Sequence, residues 1–352
     1  MSNKSRSAFS FLLVLINTAF AAESGSAKDL LYCGNSLELS LPKVNFIPIN
    51  FQPKFLYVNS DMSCKSSPFD PYEMPARLTH GSDANQCILT DDKRPVIQID
   101  DSELEKYGLT PKKGYISVAN FKHEGKFHVA QIPLDSVELG ILQSSKMAKI
   151  GPITAGHGQI RLKFSSPIIM KEQDLSSENK NTKTTMEIVT SLDVVGAIKG
   201  YEPATRGLNG SYMGILNMNS VEEKAQVMKQ FHSQIVQYPL KLDKEDLKKY
   251  IKAFISTSEL RGTSHDYNTL NENCGQVHVD ILDRTIDYKK YGGLKPASLE
   301  TFYGYINPDQ IVKSFNRRGL TNEKDRIEDF HNDPVAIKEI GHYNVNFLTK
   351  EK

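Results

Sequence analysis

Residues 267–282 read Tyr-Asn-Thr-Leu-Asn-Glu-Asn-Cys-Gly-Gln-Val-His-Val-Asp-Ile-Leu, a polar loop running into a helix with a cysteine at the junction. Asn273 is a favoured N-cap residue, which places Cys274 in the first helical turn. Val277 and Ile281 lie one helical turn apart, as do His278 and Leu282, so the helix has an apolar stripe to bury. A thiol at that point meets unpaired backbone N–H groups and the positive end of the helix dipole. Both are expected to favour thiolate. Such a cysteine becomes a nucleophile when a histidine stands ready to take its proton. Without one it is a small buried residue, or half of a disulfide.

The stretch that supplies a histidine is Ile153-Thr-Ala-Gly-His-Gly-Gln-Ile-Arg-Leu-Lys-Phe164. Ile160, Leu162 and Phe164 share one strand face, and His157, Gln159, Arg161 and Lys163 share the other. Gly156 and Gly158 flank His157 and let the backbone approach a neighbour closely. His157 is therefore the candidate general base; a polar strand face that merely includes a histidine is the plainer alternative. Downstream, Met186 to Ile198 is a β-rich run with Asp193 inside it. A carboxylate in such a strand needs a partner, and orienting a histidine on the next strand would supply one. His265 and His278 are fallback bases. His123 and His128 lack the spacing of a zinc site and read as surface or strand-face residues, so neither metal nor cofactor is expected.

The chain has 352 residues, 39% hydrophobic and 24% charged, with a formal net charge of +1. This is the profile of a globular protein with ample core, and it carries no electrostatic footprint for nucleic acid. Lys4 and Arg6 precede an apolar run to Phe20, with Ala19-Phe20-Ala21 resembling a cleavage site, so residues 1–22 read as a secretory signal. No later run is long and apolar enough to span a bilayer, so no transmembrane segment is expected in the mature chain. Export favours disulfides among the four cysteines. The simplest arrangement pairs Cys64 with Cys87, or two of Cys33, Cys64 and Cys87, and leaves Cys274 free; two disulfides that consume Cys274 are the alternative.

Residues 23–110 look β-rich, with strands around Val96–Ile99, then Tyr115–Ala119 and Phe127–Ile132 beyond. Residues 111–320 hold the histidine, the carboxylate and the cysteine. Val221 to Ile235 has helical composition, and Asp243 caps a helix that places Leu247, Tyr250, Ile251 and Phe254 on one face. Pro308 to Asn316 is a further short helix, and residues 321–352 form a charged tail expected to be peripheral.

Four motifs follow in order: Gly156-His157-Gly158-Gln159-Ile160-Arg161, Gly207 to Gly214, Tyr238-Pro239-Leu240-Lys241-Leu242, and Tyr267…Asn273-Cys274. Together they resemble the periplasmic domain of bacterial lipoprotein N-acyltransferases of the Lnb type, over roughly residues 115–290. The Asn-Cys-x-x-x-His run is also similar to the lecithin:retinol acyltransferase group. Histidine before cysteine is the reverse of the papain order, as in circularly permuted papain-like proteins. The resemblance implies an α+β fold with an antiparallel sheet packed on the nucleophile-bearing helix. It also implies a periplasmic thiol enzyme, with Cys274 as nucleophile and His157 as base, while Asp193 remains the candidate orienting residue. Its implied substrates are acyl lipids and lipoproteins, with peripheral membrane contact permitted. The rival expectations are an amidase acting on envelope peptides, and a non-catalytic envelope binding module with Cys274 locked in a disulfide.

Overall fold

The computed structural model describes residues 93–150, 153–175, 181–196, 212–231, 234–262, 266–267, 273–295 and 308–341. In chain order these carry β1 (Ile97–Gln98), α1 (Asp101–Lys106), β2 (Tyr115–His123), β3 (Lys126–Pro133), β4 (Val137–Ile150), β5 (Ile153–Glu172), β6 (Lys183–Gly196) and β7 (Tyr212–Ser220). Then come α2 (Val221–Phe231), β8 (Ile235–Pro239), α3 (Lys244–Arg261), β9 (Asp266–Tyr267), α4 (Cys274–Thr285), α5 (Pro308–Arg317) and α6 (Pro334–Ile340). The class is α+β, as expected. The signal-like leader, Cys33, Cys64, Cys87 with their expected disulfide, His265, and most of the Arg206–Gly214 loop lie outside the described residues.

Strand β5 organises the sheet. Its apolar face of Ile160, Leu162 and Phe164 is buried, as the alternation requires. Its pairing with β6 shifts register between Lys163 and Ile168, where Pro167 has no N–H to give a ladder. The strand changes neighbours there. Its first half pairs with β4, its last residues pair with β3, and β6 follows it on the other side. Strands β2, β3, β5, β6 and β7 pair in sequence. A parallel contact of β2 with β7, Phe121 opposite Met218, returns the last to the first. The sheet is thus antiparallel except at that closure.

Helices cover both faces of this sheet. Asp243 Oδ1 accepts the Asp246 N–H at 2.9 Å and starts α3, which buries Leu247, Tyr250, Ile251 and Phe254. Asn273 Oδ1 accepts the N–H groups of Gly275 and Gln276, each at 3.0 Å, and starts α4 at Cys274. Val277, His278, Ile281 and Leu282 all turn inward. These helices and α5 share one core with Ile160 and Leu162. On the other side, α2 and α6 enclose a second cluster built on Val189, Val221, Met228 and Phe330.

Two expectations are corrected. The stretch past Asn322 is not peripheral over its described length: Phe330 and Ala336 are fully buried, and Asp333 pairs with the buried Arg161. Charge density misled because the carboxylate has a guanidinium to meet. Of the surface and strand-face readings of His123 and His128, the strand-face one holds and the surface one is corrected, since they lie on β2 and β3 and are buried. His123 Nδ1 lies 2.8 Å from Ser220 Oγ, and His128 Nδ1 lies 3.0 Å from the Lys126 carbonyl.

Candidate functional site

The ladder between β5 and β6 ends at Ile160 and Thr190. Beyond that point β6 continues beside β7, from Ser191 to Gly196, while β5 continues beside β4 through Gln159, Gly158 and His157. The strands part, and one edge of β5 is left without a strand neighbour. The start of α4 fills it. Glycine at 158 eases this approach, since a Cβ there would stand 3.0 Å from Ile311 Cδ1 and 3.3 Å from Gly275 Cα and press both back by a few tenths of an ångström.

Cys274 Sγ accepts the Gly158 N–H at 3.4 Å and lies 3.8 Å from the Gly156 carbonyl oxygen, to which its S–H donates. Those two groups flank His157, so the sulfur rests against the backbone of the candidate base itself. The thiol is buried and free, which removes the premise that Cys274 is spent in a disulfide.

The imidazole reaches across to β6. His157 Nε2 lies 2.8 Å from Ser191 Oγ, and Ser191 Oγ donates to Asp193 Oδ1 at 2.7 Å. Asp193 is brought to the site, but its Oδ1 is 3.9 Å from Nε2 and acts through the serine. Burial alone would raise the Asp193 pKa. Lys224, Lys93, His157 and the Ser191 hydroxyl outweigh that and hold it well below the ordinary value. The ionised carboxylate can only accept, so the Ser191 hydroxyl must donate to it. The serine oxygen then accepts from His157, which assigns the neutral ring's proton to Nε2. Nδ1 is left as the basic nitrogen.

Burial pushes the His157 pKa down to about 4; Lys224 adds to this and Asp193 opposes it. Burial pushes the Cys274 thiol up to about 11, against the N–H groups of Gly158, Gly275 and Cys274 itself. The expectation of a ready thiolate is thereby corrected. The backbone donors are present as the helix start requires, but desolvation is the larger effect. At neutral pH the resting pair is thiol and neutral imidazole.

Residues 126–301, half of the chain, match the family described as the Lnb N-terminal periplasmic domain. The chain belongs to that family. No curated protein and no solved structure matches the chain. The family points to a periplasmic or envelope location. Among the described residues no helix is long and apolar enough to cross a membrane.

Within the matched Lnb domain lie His157, Ser191, Asp193, Lys224 and Cys274; Lys93 precedes it. Ser191 and Lys224 escaped the sequence reading. Ser191 is legible in retrospect, two residues before Asp193 and so on the same strand face. Lys224 sits in Val221-Glu-Glu-Lys224, which looks like a solvated helix start. Its Nζ is instead buried, 3.5 Å from Asp193 Oδ1. Lys93 Nζ lies 3.9 Å from Asp193 Oδ2 and donates to the Val194 carbonyl at 3.2 Å.

His278, the fallback base on the same helix as Cys274, is fully engaged on one side. Its Nδ1 lies 2.8 Å from the Tyr250 hydroxyl, its ring stacks on Phe254, and burial pushes its pKa down to about 3. It packs the underside of α4. Among the described residues no cluster of histidine, cysteine and carboxylate side chains is arranged to hold a metal ion.

Proposed function

We propose that this Lnb domain is an envelope thiol enzyme working through an acyl-thioester on Cys274, with a permuted papain-like arrangement of strand base and helix nucleophile. The observation that carries this reading is the free thiol at a helix start, set against the backbone of a histidine that a Ser191–Asp193 pair orients. His157 Nδ1 takes the thiol proton as Sγ attacks an ester or amide carbonyl, and returns a proton to the leaving group. Asn273 caps Gly275 and Gln276, and the Cys274 N–H at the head of α4 is the donor assigned to the oxyanion. Such a donor contributes roughly 3 kcal/mol in comparable sites.

The neutral resting pair suits this role. A thiol inert until a carbonyl and its base are aligned is spared adventitious oxidation in an exported protein. On this reading the substrates are acyl groups from membrane lipid or lipoprotein, with peripheral contact at the bilayer. The test is intact-mass detection of an acyl adduct on Cys274 after a reactive ester is added. Cys274→Ala should abolish the adduct, and His157→Ala should slow its formation by 100-fold or more. Adduct formation unchanged in both variants would refute the proposal.

A further inference from the structure

Three buried glutamines stand opposite one another across three neighbouring strands. Gln159 on β5 is in register with Gln143 on β4, and Gln143 with Gln237 on β8. Their amides form a one-way chain. Gln159 Nε2 donates to Gln143 Oε1 at 2.6 Å, and Gln143 Nε2 donates to Gln237 Oε1 at 2.8 Å. Gln237 Oε1 also accepts Arg161 Nη1 at 3.1 Å, while Gln237 Nε2 donates to the Glu328 carbonyl at 2.8 Å.

Arg161 fixes the direction of the whole chain. A guanidinium only donates, so Gln237 must turn its oxygen toward it. Gln143 must then give its N–H₂ to that oxygen, and Gln159 must give its own to Gln143. Reversing Gln143 or Gln237 would set donor against donor, and reversing Gln159 would set its oxygen against the oxygen of Gln143. Arg161 is itself held by Glu187 and Asp333, so the anchor cannot turn either.

The free end of the chain is Gln159 Oε1, a buried acceptor with no hydrogen-bond partner. Such orphans are rare in folded proteins and call for an explanation. Gln159 leaves β5 on the same face as His157, and its amide is placed to hydrogen-bond the charged form of that ring. While the ring is neutral, an acceptor without a partner, locked in orientation, faces the base.

We propose that Gln159 Oε1 binds the acyl acceptor, and that it selects acceptors carrying two hydrogens on the attacking atom: water or a primary amine. The proposal rests on the thiol-enzyme reading above. In the transfer step the acceptor's lone pair forms a C–O or C–N bond to the acyl carbon, and His157 takes one of its protons. The C–S bond breaks, Cys274 departs as thiolate, and it then regains a proton from the imidazolium. The acceptor's second hydrogen is directed at Gln159 Oε1. An alcohol or a secondary amine has one hydrogen, gives it to His157, and leaves the glutamine unpaired.

The test uses the full chain with p-nitrophenyl butyrate as acyl donor, where the burst reports acylation and steady turnover reports transfer. Water, glycinamide, its N-methyl analogue and methanol serve as acceptors. In Gln159→Met the ratio of turnover to burst rate should fall about tenfold with water and glycinamide, and hardly change with methanol. The wild type's preference for glycinamide over the N-methyl analogue should shrink in parallel. An equal fall in burst and turnover, as for a glutamine that holds only a structural water, overturns the proposal, and so does an unchanged ratio. Should Gln159→Met fail to fold, equal use of all acceptors by the wild type overturns it as well. A wild type with no burst defeats the thiol-enzyme reading itself.

Discussion

Cys274 Sγ lies 3.4 Å from the backbone nitrogen of Gly158, so the thiol is held by the strand as well as carried by the helix. That contact and the burial around it act against each other. The N–H stabilises thiolate, while removal from water destabilises it more and leaves the pKa near 11. Alkylation of Cys274 by iodoacetamide should consequently be slow at pH 7 and rise about tenfold per pH unit, levelling only near pH 11. A rate already level below pH 8 would mean an ion pair at rest.

The Ser191 hydroxyl stands between His157 and Asp193, and its loss can be separated from loss of the carboxylate. Ser191→Ala leaves Nε2 facing Asp193 across 3.9 Å, too far for a hydrogen bond. Acylation should slow roughly 10- to 100-fold, part of what general base catalysis supplies, with stability changed by about 1 kcal/mol. Asp193→Asn should match that slowing and also cost about 3–5 kcal/mol, because it strands the buried Lys224. Burst kinetics and urea denaturation of the two variants make the comparison. Equal stability losses would contradict this division of roles.

The parts of this site that sequence makes legible are the local ones. Asn273 as cap, Cys274 in the first turn, and the stripe from Leu247 to Phe254 each depend on a few neighbouring residues, and each stands as expected. The neighbourhood of His157 and Cys274 came from motif order rather than from any local rule. The roles of Ser191 and Lys224, as opposed to the strand face Ser191 shares with Asp193, were hidden for a geometric reason. The serine matters only because β6 parts from β5 after Thr190, and the lysine only because α2 returns its first turn onto Asp193. The thiolate expectation failed on magnitude. Both opposing effects were foreseeable, but the depth of burial that decides between them is a tertiary property.

Lys224 lowers the proton affinity of His157 from a buried position beside Asp193. Lys224→Met removes that positive field while Lys93 and the burial remain, so the His157 pKa should climb from about 4 toward 6.5. The sign follows directly: a higher pKa means more imidazolium at a given acidic pH, and imidazolium cannot accept the thiol proton. The acid limb of the burst rate should therefore move up by about one pH unit. Lys224→Arg should restore the original limb if the charge alone is responsible. A limb unmoved in Lys224→Met would show that Lys224 acts only as a structural ion.

His128 and His278 are buried and His157 nearly so, all in neutral form, with pKa values pushed down to about 4, 3 and 4, chiefly by desolvation. In the unfolded chain each titrates near 6.5. Between that value and about 4 the unfolded state binds more protons than the folded one, so stability falls as pH falls through this window. Each histidine contributes a slope of about 1.4 kcal/mol per pH unit once the pH is well below 6.5. Carboxylates such as Asp193 and Asp246, held below their ordinary values, add their own loss only nearer pH 4. Urea midpoints should hold steady from pH 8 to 7 and drop steeply between 6 and 4.5. His128→Gln, which removes one titrating ring outside the candidate site, should flatten that drop by about a third without altering the pH dependence of the burst. A drop of equal steepness in that variant would assign the acid sensitivity to other groups.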